Sequence, residues 1–267
     1  MIRRSIAFAT AAMALAACPA ALAQHAGDIG LRVAGGRIVT TEITGGGYGD
    51  DRRVFGATFG DTGVAWFTAN PGFDAMAGAF PAGSRLGFRF AGPLLAWDGD
   101  SFEPTSPDGA LAGERLRISF LTASATSGAG PVNGFDLAVQ PDGGWHRHLN
   151  MTLQAATGAA APEAGVYLAR LELYSTAAGI GASEETWLVM NANAAPADVA
   201  AAFAAAEAAL NPPACPADLD GDGQVSGADL GALLGNWGMP GAGDLDGDGQ
   251  VTGADLGALL GEWGACP

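Results

Sequence analysis

Asp218-Leu219-Asp220-Gly221-Asp222-Gly223-Gln224-Val225-Ser226-Gly227-Ala228-Asp229 is repeated from Asp244 as Asp244-Leu245-Asp246-Gly247-Asp248-Gly249-Gln250-Val251-Thr252-Gly253-Ala254-Asp255, with Thr252 for Ser226 the single change. Each copy puts carboxylates at loop positions 1, 3, 5 and 12, a glycine at 6, a backbone carbonyl (Gln224, Gln250) at 7 and a hydroxyl (Ser226, Thr252) at 9. Ca²⁺ is a hard cation that takes six to eight oxygens, and a twelve-residue loop supplies them at this spacing. The candidate ligands are therefore Asp218, Asp220, Asp222, Gln224, Ser226 and Asp229, and Asp244, Asp246, Asp248, Gln250, Thr252 and Asp255. Position 12 carries Asp where the usual EF-hand has Glu, so the following helix must sit closer for both oxygens to chelate. A solvated Asp/Gly-rich linker would not repeat together with the segment beyond it. Here both loops run into the same Leu-Gly-Ala-Leu-Leu-Gly sequence, at Leu230 and at Leu256.

In those exit segments Leu230, Leu233, Leu234 and Trp237 fall at i, i+3, i+4 and i+7, and Leu256, Leu259, Leu260 and Trp263 repeat the stripe. The spacing predicts two short helices that bury apolar faces against each other. Val225 and Val251, at loop position 8, are expected to pair the loops back to back. A duplicated calcium loop with an exit helix and no entering helix resembles a type I dockerin module, over about Cys215 to Cys266. The resemblance implies two calcium ions and a protein partner. The usual recognition side chains do not carry over: loop positions 10 and 11 are Gly227-Ala228 and Gly253-Ala254, and no Lys or Arg follows Arg170.

The N-terminus reads as an export signal, residues 1–23: Arg3-Arg4, an Ala-rich apolar run, then Ala21-Leu22-Ala23 before Gln24. Leu15-Ala16-Ala17-Cys18 also fits a lipoprotein site that would leave a lipid anchor on Cys18. Cleavage after Ala23 is the preferred reading, because it ends the segment just before the first strand-like stretch. The double arginine fits twin-arginine export as well as an ordinary positive leader. The run is too short to span a membrane as a mature segment, so no integral span is expected. A secreted, cell-surface or periplasmic address follows, and in such an oxidising compartment Cys215 and Cys266 should pair. In the chain-entropy model that bond contributes about 4 kcal/mol to a module with little core.

The net charge is −16, and from Cys215 onward there are eight Asp, one Glu and no base. So acidic a chain is a poor partner for nucleic acid or an anionic membrane. Pro196 to Leu210 is an Ala-rich helix former, with Asp198 as a candidate cap, and Asn211-Pro212-Pro213-Ala214 stops it. The expected organisation is a large domain over 24–196, helix and linker over 197–214, and the module over 215–267.

The large domain alternates short apolar stretches with Gly, Pro, Asp and Asn. Ile29 to Thr41 around Gly35-Gly36 reads as a hairpin. Further strands are expected at Val54–Phe59, Val64–Thr68, Arg85–Phe90, Leu94–Trp97, Leu116–Ala125, Phe135–Val139, Trp145–Leu153, Val166–Tyr174 and Thr186–Met190. Gly45-Gly46-Gly47 reads as a turn, as do Asp98-Gly99-Asp100 and Pro141 to Gly144. The fold class is mainly β, a β-sandwich or jelly roll, with the small α-helical calcium-binding module attached. Gly165-Val166-Tyr167 resembles the tyrosine corner of extracellular sandwiches. The domain resembles exported bacterial β-rich proteins on His25-Ala26-Gly27-Asp28, Asn70 to Asp74 and Gly144 to Asn150, a likeness that carries no activity.

Only three histidines occur. On one continuous strand, His146 and His148 would share a face with Asn150 and Thr152. Two imidazoles so placed, with His25 from the mature N-terminus, are candidate ligands for zinc or copper. A polar strand face that carries histidines is the competing reading. No Gly-x-Ser-x-Gly elbow, free catalytic Cys or phosphate-cradling glycine motif is present. A non-enzymatic binding or structural protein is therefore preferred. The alternatives are a secreted glycoside hydrolase acting on polysaccharide, with an acid pair among Glu42, Asp74, Glu114, Glu172, Glu184 and Glu185, and an exported zinc- or copper-binding protein. Carbohydrate is the partner the hydrolase reading implies.

Overall fold

The computed structural model describes residues 27–45, 47–106, 113–210 and 215–266. Residues 1–26, with Cys18 and His25, and residues 211–214 lie outside the described residues. The chain runs through β1 (Ile29–Ala34), β2 (Arg37–Thr44), β3 (Gly47–Asp51), β4 (Val54–Thr58), β5 (Phe67–Thr68), β6 (Phe73–Ala75), β7 (Arg85–Phe90) and β8 (Leu95–Trp97). It continues with β9 (Phe102–Pro104), β10 (Arg115–Phe120), β11 (Ala123–Thr126), β12 (Val132–Ala138), β13 (Trp145–Arg147), β14 (Asn150–Gln154), β15 (Gly165–Ser175) and β16 (Glu185–Ala192). Then come α1 (Pro196–Leu210), β17 (Gln224–Val225), α2 (Gly227–Gly235), α3 (Gly253–Gly261) and β18 (Gly264–Ala265). The protein is mainly β. It divides into two compact units between Val199 and Ala200, inside α1. Among the described residues no helix is long and apolar enough to cross a membrane.

The first unit holds three sheets, ordered β13-β6-β1-β2-β3, β11-β10-β14-β5 and β12-β7-β15-β16-β4, with β8 and β9 paired beside β15. Period-two alternation puts one face of each strand inward. Ile29, Phe73 and Trp145 from the first sheet, Leu116, Ile118 and Met151 from the second, and Phe88, Phe90, Leu171 and Leu188 from the third share one buried cluster. Phe73 and Trp145 meet edge to face at 6.4 Å. Gly35-Gly36 forms the two-residue turn of the expected hairpin, with Ala34 opposite Arg37. Tyr167 is buried and its hydroxyl donates to the carbonyl of Glu163 at 2.9 Å, the bond that defines a tyrosine corner. Burial chiefly, with the charges of Glu114 and Glu163 nearby, pushes that hydroxyl's pKa up.

Several expected strands are redrawn. The Leu116–Ala125 stretch is two strands, β10 and β11, turning where Leu121 takes a positive φ of 51°. Val64–Thr68 shrinks to β5, because Trp66 also has a positive φ, 58°, which a strand cannot hold. Gly47 opens β3 instead of lying in a turn. The Trp145–Leu153 stretch breaks in two: β13 pairs with β6 in the first sheet, and β14 pairs with β10 and β5 in the second.

In the second unit Cys215 and Cys266 form a disulfide, with Cα atoms 5.9 Å apart. Ala217, Val225, Leu233, Val251 and Leu259 make its small core. The valines do not pair strand to strand. Val225 lies opposite Gly264 in the β17–β18 ladder, and Val251 bridges to Trp237. Each loop is thus clamped by the segment that follows the other loop's helix. The apolar stripe also splits: Leu233 and Leu259 are fully buried, whereas Leu234, Trp237, Leu260 and Trp263 are each about half exposed. Helices of nine residues with one small core between them have room to bury only part of such a stripe.

Candidate metal centre

Two kinds of site emerge, one in each unit. In the module, Gly223 and Gly249 turn the loops at φ 86° and 97°, a region closed to most side chains. Oxygens of Asp218, Asp220 and Asp229 lie within 4.8 Å of one another, and so do those of Asp244, Asp246 and Asp255. Positions 1, 3 and 12 of each loop therefore converge. Asp222 and Asp248, at position 5, stand outside those trios, where each accepts the amide of Gln224 or Gln250. Asp218 holds its loop by accepting the amides of Gly221 and Gly223, both at 2.9 Å. Asp244 does the same with Gly247 and Gly249.

Position 12 has a second task. Ser226 and Thr252 are N-caps of α2 and α3, and Asp229 and Asp255 complete capping boxes by accepting the cap residues' own amides at 2.8 and 2.7 Å. Asp229 also accepts from Leu219 and Asp220, and Asp255 from Leu245 and Asp246. These backbone donors hold both carboxyls below the usual carboxylate pKa, the cap amide contributing most. Ser/Thr-x-x-Asp ahead of an apolar run is the sequence signal of such a cap. In Asp220 desolvation comes first, with the neighbouring carboxylates Asp222, Asp229 and Asp218 adding to it, and the pKa is raised. Concentrated negative charge of that kind is relieved by a cation.

In the first unit the break between β13 and β14 reorganises the histidine face. His146 pairs with Asp74 of β6, and Asp74 lies beside Gly30 of β1. Phe73 and Trp145 point inward, so Asp74 and His146 point to the sheet's other face. His148 sits past the end of β13, and Asn150 and Thr152 belong to the next sheet, so neither shares the expected face. The rings of His146 and His148 are nonetheless 5.0 Å apart. Asp28, buried just ahead of β1, completes the group: its Oδ2 is 3.9 Å from Nδ1 of His146 and 3.7 Å from Nε2 of His148. Its other oxygen accepts the amide of Gly72 at 2.8 Å. Asp74 Oδ1 lies 3.9 Å from His146 Nδ1. Nearby, Tyr48 donates to the carbonyl of Leu31 and accepts from Met76; burial above all raises its pKa, and the charge of Asp74 adds to this. Sequence reasoning missed Asp28 and Asp74 as members of this group, since they lie far from the histidines along the chain.

The other acids singled out in the sequence are engaged elsewhere. Glu172 pairs with Arg89 at 2.8 Å, Glu184 with Arg37 and Arg53 at 3.0 and 2.9 Å, and Glu42 with Arg52 at 3.9 Å. Glu185 accepts from the Trp187 indole, and Glu114 is buried.

No family model matches this chain, and no curated protein does.

Proposed function

We propose that the second unit is a dockerin-like module that binds two calcium ions and fastens an exported β-sandwich binding or structural domain to a protein assembly or surface. The observation that carries this reading is the doubled unit of loop, capping box and helix, with three carboxylates drawn together in each copy. Ca²⁺ takes those oxygens together with the position 7 carbonyl and water, and its charge offsets the repulsion among them. A core of five buried side chains and one disulfide leaves much of the module's stability to the metal, so calcium binding is also folding free energy. A docking role is supported by Leu234, Trp237, Leu260 and Trp263, apolar side chains about half exposed at repeated positions. The partner is recognised by apolar contact, since the module has no base to offer. A sandwich architecture for the first unit is supported by three sheets sharing one core and by the tyrosine corner.

Circular dichroism and limited proteolysis of the full chain test this reading. Calcium should raise helix content and protect the region after Leu210 from cleavage, and a chelator should reverse both. Equal helix content and equal protection in the two conditions would overturn it.

A further inference from the structure

We infer that Asp28, His146 and His148 form a transition-metal site in the first unit, a His₂Asp centre suited to Zn²⁺, with Asp74 beside it as a second carboxylate. The site lies within the first unit, and the acidic loops lie within the second.

Four observations support the assignment. The first is spacing. Ligands arranged tetrahedrally at zinc bond lengths stand roughly 3.3 Å from one another. The nitrogen–oxygen separations of 3.7 and 3.9 Å are too long for hydrogen bonds and a few tenths of an ångström wider than that ligand spacing. The second is tautomer. His148 Nδ1 faces the carbonyl of Ala69 at 2.9 Å, and a carbonyl only accepts, so Nδ1 carries the proton. In the neutral ring the lone pair is then on Nε2, the atom turned to Asp28. A backbone carbonyl that fixes the outer nitrogen is the usual support for a metal-bound histidine.

The third is the cradle. A Cβ on Gly72 would stand 2.7 Å from His148 Cε1, 2.8 Å from its Nε2 and 2.9 Å from Asp28 Oδ1. Only glycine lets this loop close behind both ligands while its amide holds Asp28. The fourth is charge and access. Two carboxylates beside two imidazoles suit a divalent cation of borderline softness. The histidine side chains are about one-third exposed while Asp28 is buried, so the fourth position opens to solvent and takes water. Three protein ligands with an open position is the pattern of zinc centres that keep a site for an exchangeable ligand.

The test is a zinc titration of the full chain in saturating calcium, which keeps the acidic loops filled. One equivalent of Zn²⁺ should bind, and Co²⁺ in its place should give the visible absorption of a low-coordinate ion. His148→Gln and Asp28→Asn should each weaken zinc at least tenfold. Gly72→Ala should weaken it as well, although Gly72 offers no ligand, and calcium stoichiometry should stay the same in all three. Thermal melts without zinc identify any variant that is misfolded, and His146→Gln provides an independent ligand substitution. No zinc uptake by the calcium-loaded chain would overturn the inference and leave a polar Asp–His cluster. Undiminished uptake by folded His146→Gln and His148→Gln would overturn it too, by placing the zinc elsewhere.

Discussion

Oδ1 of Asp229 accepts the amide of Leu219, ten residues back in the chain, at 2.8 Å, and Asp255 does the same for Leu245 at 2.7 Å. Each position 12 carboxylate thus ties the start of its acidic loop to the first turn of its exit helix. The same carboxylate completes the helix cap, so loop and helix are one structural unit, which accounts for their repeating together. Asp at this position has the short arm that such a closed geometry requires. Replacing Asp229 by Ala should therefore remove a cap as well as one of the proposed calcium ligands. Loss of an N-terminal cap contact costs about 1 kcal/mol. Helix content of the chain at saturating calcium, compared between wild type and Asp229→Ala, reads both losses together, and a decrease is expected.

The split apolar stripe makes a sharp contrast between adjacent leucines. Leu233 is fully buried and Leu234 is half exposed. Leu233→Ala should destabilise the calcium-loaded module by about 2–5 kcal/mol. Leu234→Ala should change it by about 0.5 kcal/mol or less, as for other surface positions. Chemical denaturation in millimolar calcium, followed by helix signal, reads both. If Leu234 belongs to the docking surface, its variant should keep stability and lose partner affinity.

In the first unit Tyr167→Phe removes the hydroxyl that donates to Glu163. The expected cost is about 1 kcal/mol, the net worth of one intramolecular hydrogen bond. It should appear as a lower melting temperature of the β-rich unit with calcium stoichiometry unchanged.

Asp98 is exposed, just after β8. Its Oδ1 accepts the amides of Asp100 and Ser101 at 2.9 and 2.8 Å, closing the turn between β8 and β9. Those donors, Ser101 first, lower its pKa. A carboxyl whose folded pKa lies below its unfolded value, about 3.9, stabilises the protein fully above that value. The contribution is lost as pH falls from there through the depressed folded pKa. Asp98→Asn should therefore flatten the acid limb of the stability–pH curve below about pH 4 and leave its slope near neutrality unchanged.

The repeat of the two acidic loops was legible because their carboxylates recur at fixed positions in a short segment, and no tertiary contact is needed to see it. The hairpin at Gly35-Gly36 and the helix Pro196–Leu210 were legible for the same reason, since turn chemistry and alanine propensity act locally. The sheet change between Arg147 and Asn150 was not. Trp145, Leu149, Met151 and Leu153 are all buried, so the apolar alternation runs on across the break and conceals it. That break also removed Asn150 from the histidine face and brought in Asp28 and Asp74, which only the pairing of β1, β6 and β13 places there. Likewise Leu233 and Leu234 are identical to any periodicity argument, and only the size of the module's core separates them.

Calorimetric titration of the chelated full chain with calcium should find two ions per chain, in the roughly 10⁻⁴–10⁻³ M range of extracellular modules or tighter. Asp218→Ala and Asp244→Ala should each leave about one ion. That remaining ion should bind more weakly than in wild type, because Val225 and Val251 enter one core with Leu233 and Leu259. No calcium uptake at millimolar concentration, or two ions retained by both variants, would contradict the proposed calcium sites.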